Sequence, residues 1–378
     1  MKKLLTLALA TVMTVACALG ASAGWCDEVF ADVDFSALAT YGSDVLGTYQ
    51  MRGFATDPNG KYYFGGNLQG GPTMYKFNTK GEMLDSYQFT TDPGSYVKAI
   101  TCDDRGYVYN GIANAANNGA FFFSICDMET LTEQSYVEVP VEGKIGVNGV
   151  GVANVDGKYI LSLICNYETN RMYFFDVTDV KKPTEISHFD LTEVCGVAEG
   201  GNCAMDSQGN VYFAALKYDG SKGDTLIKCD MSGNIIEELR LPEPWGVSVY
   251  ADEYVVVGCR NKTESMVYVV DAETMTTVGE YHPTDAIVDS GYSGVGIMND
   301  RIYACDHSGS DTIYVSEALH IPAKPEPVVE TEAAAEVVDA AAGETTAVVA
   351  APQTFDAGVI AAVCAIVSAA GYAVSKKR

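Results

Sequence analysis

Short runs of alternating apolar and polar residues, broken by turns rich in Asp, Asn and Gly, fill the middle of the chain. A period of two marks a strand with one buried and one exposed face. The stretch Gly201–Leu239 shows the repeating unit whole. It predicts strands over Asn202–Met205, Asn210–Ala215, Thr225–Asp230 and Ile235–Leu239. An Asp-Ser-Gln-Gly turn, a polar loop and a Met-Ser-Gly turn join them. Links this short connect antiparallel neighbours, so the unit is a four-stranded antiparallel sheet.

Two markers show that the unit recurs. The first is a turn followed by an aromatic-rich strand. It stands at Asp57-Pro-Asn-Gly60, Asp103-Asp-Arg-Gly106, Val155-Asp-Gly157, Asp206-Ser-Gln-Gly209, Ala251-Asp-Glu253 and Asn299-Asp300. Asp and Asn can cap their own backbone there, and Gly tolerates positive φ. The second is a later apolar strand ending in a polar residue: Thr73–Asn78, Phe121–Asp127, Met172–Asp176, Leu226–Asp230, Met266–Asp271 and Thr312–Ser316. Both recur about every 41–54 residues, the spacing of propeller blades. Six copies in register predict an all-β fold, a six-bladed β-propeller over residues 27–320. A closed ring removes the exposed sheet edges that an open stack would leave.

Closure should leave a trace at the chain ends. The sixth unit has strands near Gly294–Met298, Arg301–Cys305 and Thr312–Ser316 and no fourth. Asp44–Gln50 resembles the outer strands Glu82–Phe89 and Thr276–His282, and is expected to complete the last blade.

At this level of pattern the chain resembles the NHL-type and gluconolactonase-type six-bladed propellers, through GNCAMDSQGNVYF and LIKCDMSGNII. Met172–Leu191 is similar to an LVIVD repeat. The resemblance spans about 270 residues and implies fold far more than activity. Gluconolactonase-like propellers hold a metal in the central channel with acidic and Asn side chains. The matching candidates sit where inner strands start: Arg52, Asn148, Glu199, Asn202, Trp245, Asp289 and Tyr292, with Lys98 among them. The family's Glu-Gly-Pro opening and Arg-Asn-Asp segment are absent.

Composition narrows the chemistry. The formal net charge of −26 argues against nucleic acid as a partner, since binding it needs Lys and Arg to replace counterions. The four histidines, His188, His282, His307 and His320, form no metal-binding spacing, and no GxSxG elbow or P-loop occurs. The Asp-rich turns do not continue as a calcium loop, so no cofactor is expected, with calcium or another divalent metal left open. Of eleven cysteines nine lie in the body, several inside apolar strands, where Cys behaves as a small buried hydrophobe. No CxxC occurs. The loops between second and third strands, Gly66–Pro72, Ala113–Gly119, Asn166–Arg171, Lys217–Asp224, Arg260–Ser265 and Asp306–Asp311, share the rim with the inner-strand starts.

The ends of the chain give it an address. Residues 1–23 read as an export signal: Lys2 and Lys3, an apolar core, then Ala21-Ser22-Ala23. Residues 321–351 read as a disordered stalk rich in Pro, Glu and Ala. Residues 352–378 carry the uncharged span Ala357–Val374 and a basic tail, Lys376-Lys377-Arg378. As a helix the span is about 27 Å long, barely the thickness of a bilayer's hydrocarbon layer. The arrangement Pro352-Gln353-Thr354, apolar span and basic tail resembles the sorting signal read by sortases of Gram-positive bacteria. That resemblance implies surface display by membrane or cell wall. Phe355 stands where the family has Gly. The sequence therefore reads as a monomeric, cell-surface-anchored binding or adhesion module for a glycan or protein ligand, and it leans away from an enzyme. A surface metal-dependent lactonase, lyase or glycan-processing enzyme is the alternative.

Overall fold

The computed structural model describes residues 30, 33–41, 51–68, 71–90, 95–167, 169–218, 221–260, 266–284, 291–306 and 312–319. The export signal, Asp44–Gln50, Asp289, the stalk, Pro352, Thr354 and the apolar C-terminal span lie outside them. Among the described residues no helix is long and apolar enough to cross a membrane.

The described chain is a six-bladed β-propeller of four-stranded antiparallel blades. Blade 1 holds β2 (Gly53–Thr56), β3 (Tyr62–Leu68), β4 (Pro72–Asn78) and β5 (Met83–Gln88). Blade 2 holds β6 (Tyr96–Cys102), the two halves of β7 (Tyr107–Asp127) and the first part of β8 (Glu133–Val155). The rest of β8 opens blade 3, followed by β9 (Lys158–Tyr167), β10 (Arg171–Asp176) and β11 (Thr184–Asp190). After the short helix α1 (Leu191–Cys195) comes blade 4, with β12 (Val197–Met205), β13 (Val211–Tyr218), β14 (Ser221–Cys229) and β15 (Ile235–Arg240). Blade 5 holds β16 (Pro244–Tyr250), β17 (Tyr254–Cys259), β18 (Val267–Asp271) and β19 (Thr276–Tyr281). Blade 6 holds β20 (Tyr292–Met298), β21 (Arg301–Asp306) and β22 (Thr312–Ser316), with β1 (Phe35–Thr40) as its outer strand.

Ring closure follows the expected principle through a different segment. β1 pairs with β22, Phe35 opposite Ser316 and Thr40 opposite Thr312. The closing strand is thus Phe35–Thr40 rather than Asp44–Gln50. Beyond β1 the Tyr41 ring packs 4.6 Å from Phe77, and its hydroxyl bonds those of Tyr63 and the Gly81 carbonyl in blade 1. The N-terminal strand therefore fastens blade 6 to blade 1.

The inner strands pack in a closed cycle, β2 beside β6, β6 beside β8, then β12, β16, β20 and β2 again. Such close approach needs small residues. A Cβ on Gly149 of β8 would lie 2.7 Å from the Cys203 nitrogen of β12, and one on Gly294 would lie 2.1 Å from Cβ of Phe54. Six buried clusters of described residues fill the junctions between blades, one at each. Aromatic residues of the second and third strands dominate, among them Tyr63, Tyr109, Phe123, Phe174, Phe213 and Tyr254, all fully buried. This explains why the aromatic strand after each turn is the clearest repeat marker: its side chains fill the wedge between blades.

The turns that mark the repeat are of two kinds. In blades 1, 2 and 4 an Asp carboxylate caps the turn. Asp57 accepts from the backbone N–H of Asn59 and Lys61, Asp103 from those of Arg105 and Tyr107, and Asp206 from those of Gln208 and Asn210. The Gly that follows has φ of 76° (Gly60), 92° (Gly106) and 82° (Gly209). In blades 3, 5 and 6 the turn shrinks to two residues of positive φ, Asp156-Gly157, Ala251-Asp252 and Asn299-Asp300, the geometry that matches strand twist. The Asp oxygens of the first kind are engaged in hairpin construction.

Eight described cysteines are free thiols, seven of them buried. Burial pushes the Cys126 and Cys203 thiols up to about 12.

Candidate functional site

All inner strands run in one direction, so their first residues collect on one rim around the channel mouth. Backbone pairing fixes several of these starts. The Arg52 N–H donates to the Gly66 carbonyl at 2.8 Å, placing Arg52 at the foot of β2. Lys98 lies in β6, Asn148 in β8, Glu199 and Asn202 in β12, and Trp245 in β16. One further residue joins them. The Arg260 N–H donates to the Glu243 carbonyl at 2.8 Å, which sets the Arg260 side chain beside Trp245.

Side-chain contacts converge across the opening. The Lys98 ammonium donates to Oδ1 of Asn148, and Nδ2 of Asn148 donates to the Gly200 carbonyl at 3.0 Å. Asn148 thereby links blades 2, 3 and 4 and fixes the ammonium. Lys98 Nζ stands 6.0 Å from the Trp245 ring centroid and the Arg260 guanidinium 4.1 Å from it, so one indole ring gathers two cations. Arg52 lies 5.8 Å from the Tyr96 ring.

The electrostatics are those of crowded positive charge. Burial, then the Arg52 cation, pushes the Lys98 ammonium down to about 8; Glu199 pulls the other way and Arg260 adds to the fall. Burial also lowers Arg260, with Glu243 and Glu199 opposing and Arg52 reinforcing.

The expected site residues divide. Arg52, Asn148, Glu199 and Trp245 come together at the mouth with Lys98. Asn202 is turned to a local task, its Oδ1 accepting from the Cys203 N–H at 2.9 Å. Tyr292 is fully buried in the cluster between blades 5 and 6, its ring 6.0 Å from Tyr314. Arg260, expected on the rim only as the first residue of the loop Arg260–Ser265, is not singled out by the sequence because it follows an apolar strand, where only a loop beginning shows. Its position one residue beyond the second strand of the blade carrying Trp245 is the available signal.

Asp289, one of the expected oxygen donors, lies outside the described residues. Among the described residues no three His, Cys, Asp or Glu side chains gather as a metal site. Asn148 and Asn202 have their amide oxygens engaged, and Lys98 and Arg260 both act on the Glu199 carboxylate. His188 is exposed on β11 and pairs with Glu185 at 2.7 Å, and His282 is exposed just after β19.

Two rim loops are shorter than their polarity suggests. β13 and β14 extend to Tyr218 opposite Ser221, so most of Lys217–Asp224 is a strand hairpin. Ala113–Gly119 lies within β7, where Asn114 and Asn118 pair with Ile145 and Lys144 of β8.

No protein-family model matches the chain. No curated protein matches it either. Among solved structures it is similar to U3-55K, at 10% identity with a TM-score of 0.51, over 75% of this chain and 98% of that one. It is also similar to the RRP9 WD40 repeats, at 10% identity with a TM-score of 0.50, over 75% and 99%. These likenesses establish the propeller fold.

Proposed function

We propose that the chain is an exported, surface-anchored propeller that binds a ligand at the channel mouth and the rim loops around it. The observation that carries this reading is the convergence of Arg52, Lys98, Asn148, Glu199 and Trp245 from five blades onto one opening, on a scaffold whose junctions are packed throughout. Rigid elements presenting polar and aromatic groups at a concave end are the usual form of a recognition site. Kinship with the NHL and gluconolactonase-like propellers is part of the proposal and rests on the repeat pattern. A metal-dependent lactonase at this mouth would have to draw on the Glu199 and Asp289 carboxylates, because the Asn148 and Asn202 amide oxygens are engaged.

Glycan and peptide arrays probed with the full chain, with and without calcium, test the reading. Trp245→Ala should abolish the array signal while thermal unfolding changes little, because the indole is only partly buried. An undiminished signal would move the ligand site off the mouth, and an array without signal would favour a purely structural surface protein.

The address is proposed from the sequence features at the two ends. Thr354→Ala should release the chain from the cell-wall fraction; unchanged wall linkage would rule out sorting at that residue.

A further inference from the structure

We infer that the channel mouth is a receptor for an oxyanion: the carboxylate, sulfate or phosphate group of a small acidic ligand, held by Lys98, Arg260 and Arg52. The inference rests on the mouth being the binding site and names the chemistry it selects. It begins from a contrast. The chain has 24 basic and 50 acidic residues, yet Lys98, Arg52 and Arg260 gather at its channel mouth, with Glu199 near Lys98 and Arg260 and Glu243 flanking Arg260. A surface of that overall balance gives no reason for cations to cluster at the axis.

The cations are also held in place. Asn148 fixes the Lys98 ammonium by a hydrogen bond and is itself anchored on Gly200. The Arg260 guanidinium lies 4.1 Å from the Trp245 ring centroid, and its fork of N–H donors matches an oxyanion bidentately. An indole face holds a cation without supplying the hydrogen-bond acceptors of a carboxylate. Lys98, Arg52 and Arg260 repel one another, Glu199 offsets only part of that charge, and an anion bound between the cations relieves the remainder.

Linkage gives a signature specific to this arrangement. The groups facing Lys98 are Arg52, Arg260 and Glu199. Its ammonium, depressed to about 8 by burial and by Arg52, loses its proton more readily than an exposed lysine. A bound anion favours the charged form and raises that value. Binding near pH 8.5 must therefore take up a proton, and affinity must fall as pH rises through the free-state value.

The test is calorimetric titration of the full chain with sodium sulfate in two buffers of different ionisation enthalpy. Sulfate carries no proton between pH 6 and 10, so any uptake belongs to the protein. The expected result is saturable binding with one sulfate per chain, with proton uptake at pH 8.5 that is lost at pH 6.5. Lys98→Met and Arg260→Met should each weaken binding about tenfold or more. Lys98→Met should also abolish the uptake, and Lys98→Arg should keep affinity without it. Parallel titrations with phosphate and acetate tell a tetrahedral oxyanion from a carboxylate. Absence of saturable binding for all three, or binding unaffected in the Lys98→Met/Arg260→Met double variant, overturns the inference. Array ligands that are uncharged yet sensitive to Trp245→Ala would overturn it while leaving the mouth as the binding site.

Discussion

Arg105 holds blades 2 and 3 together through most of its donors. Its Nε donates to Oδ2 of Asp103 at 2.8 Å, Nη2 to the Tyr109 hydroxyl at 2.8 Å, and Nη1 to the Thr178 carbonyl across the junction at 2.9 Å. The guanidinium also lies 3.5 Å from the Tyr159 ring centroid. The Asp103 carboxylate it pairs with is only 2% exposed. Removing one partner of a buried pair leaves an uncompensated charge, which costs more than the pair contributes. Asp103 keeps its bonds from Arg105 N–H, Tyr107 N–H and the Tyr109 hydroxyl, so the loss is moderated. Arg105→Ala is therefore expected to lower unfolding free energy by about 3 kcal/mol. Arg105→Lys should recover part, since lysine keeps the charge and loses the fork. Urea unfolding followed by far-ultraviolet circular dichroism measures both, and a loss under about 1 kcal/mol for the alanine variant would place Arg105 among ordinary surface ion pairs.

β1 is the element on which closure depends. It supplies the outer edge of blade 6, packs Phe35 5.7 Å from Tyr281, and leads into Tyr41 at the junction with blade 1. Deleting Phe35–Thr40 should expose the edge of β22 and lower the unfolding midpoint of the whole domain. Hydrogen exchange should show β22 and β4 losing protection together; loss confined to β22 would mean that blade 6 closes without β1. The need for such a strand was legible in the sequence, because the sixth unit lacks its fourth. Which segment fills the place was not. Outer strands such as β5, β11 and β15 are mostly exposed, so their sequences carry little burial pattern and several stretches fit equally well. The inner strands gave the opposite result. Their starts were identifiable from the turn that follows, and four of the seven expected mouth residues meet there. Tyr292 departed because alternation along β20 turns it into the junction between blades, and Arg260 escaped because a second-strand end has no repeat marker of its own.

At the scale of the molecule, charge is the property that packing leaves unbalanced. A compact body in a chain of net charge −26 repels itself, and unfolding relieves that repulsion by spreading the charges apart. At about 0.01 M ionic strength the screening length is roughly 30 Å, comparable to a small domain, while at about 0.15 M it is roughly 8 Å. The thermal midpoint is therefore expected to rise over that interval in sodium chloride. The same experiment separates screening from binding. Magnesium and calcium chlorides at matched ionic strength should give closely similar midpoints if the capped Asp turns are structural, because the Asp57, Asp103 and Asp206 carboxylates already accept backbone N–H bonds. A calcium-specific rise at equal ionic strength would reveal a stabilising ion that binds the native state by mass action. Such a rise would place it at the acidic exterior, since the cations of the channel mouth repel it; loss of the rise in Asp57→Asn, Asp103→Asn or Asp206→Asn would locate it at a turn.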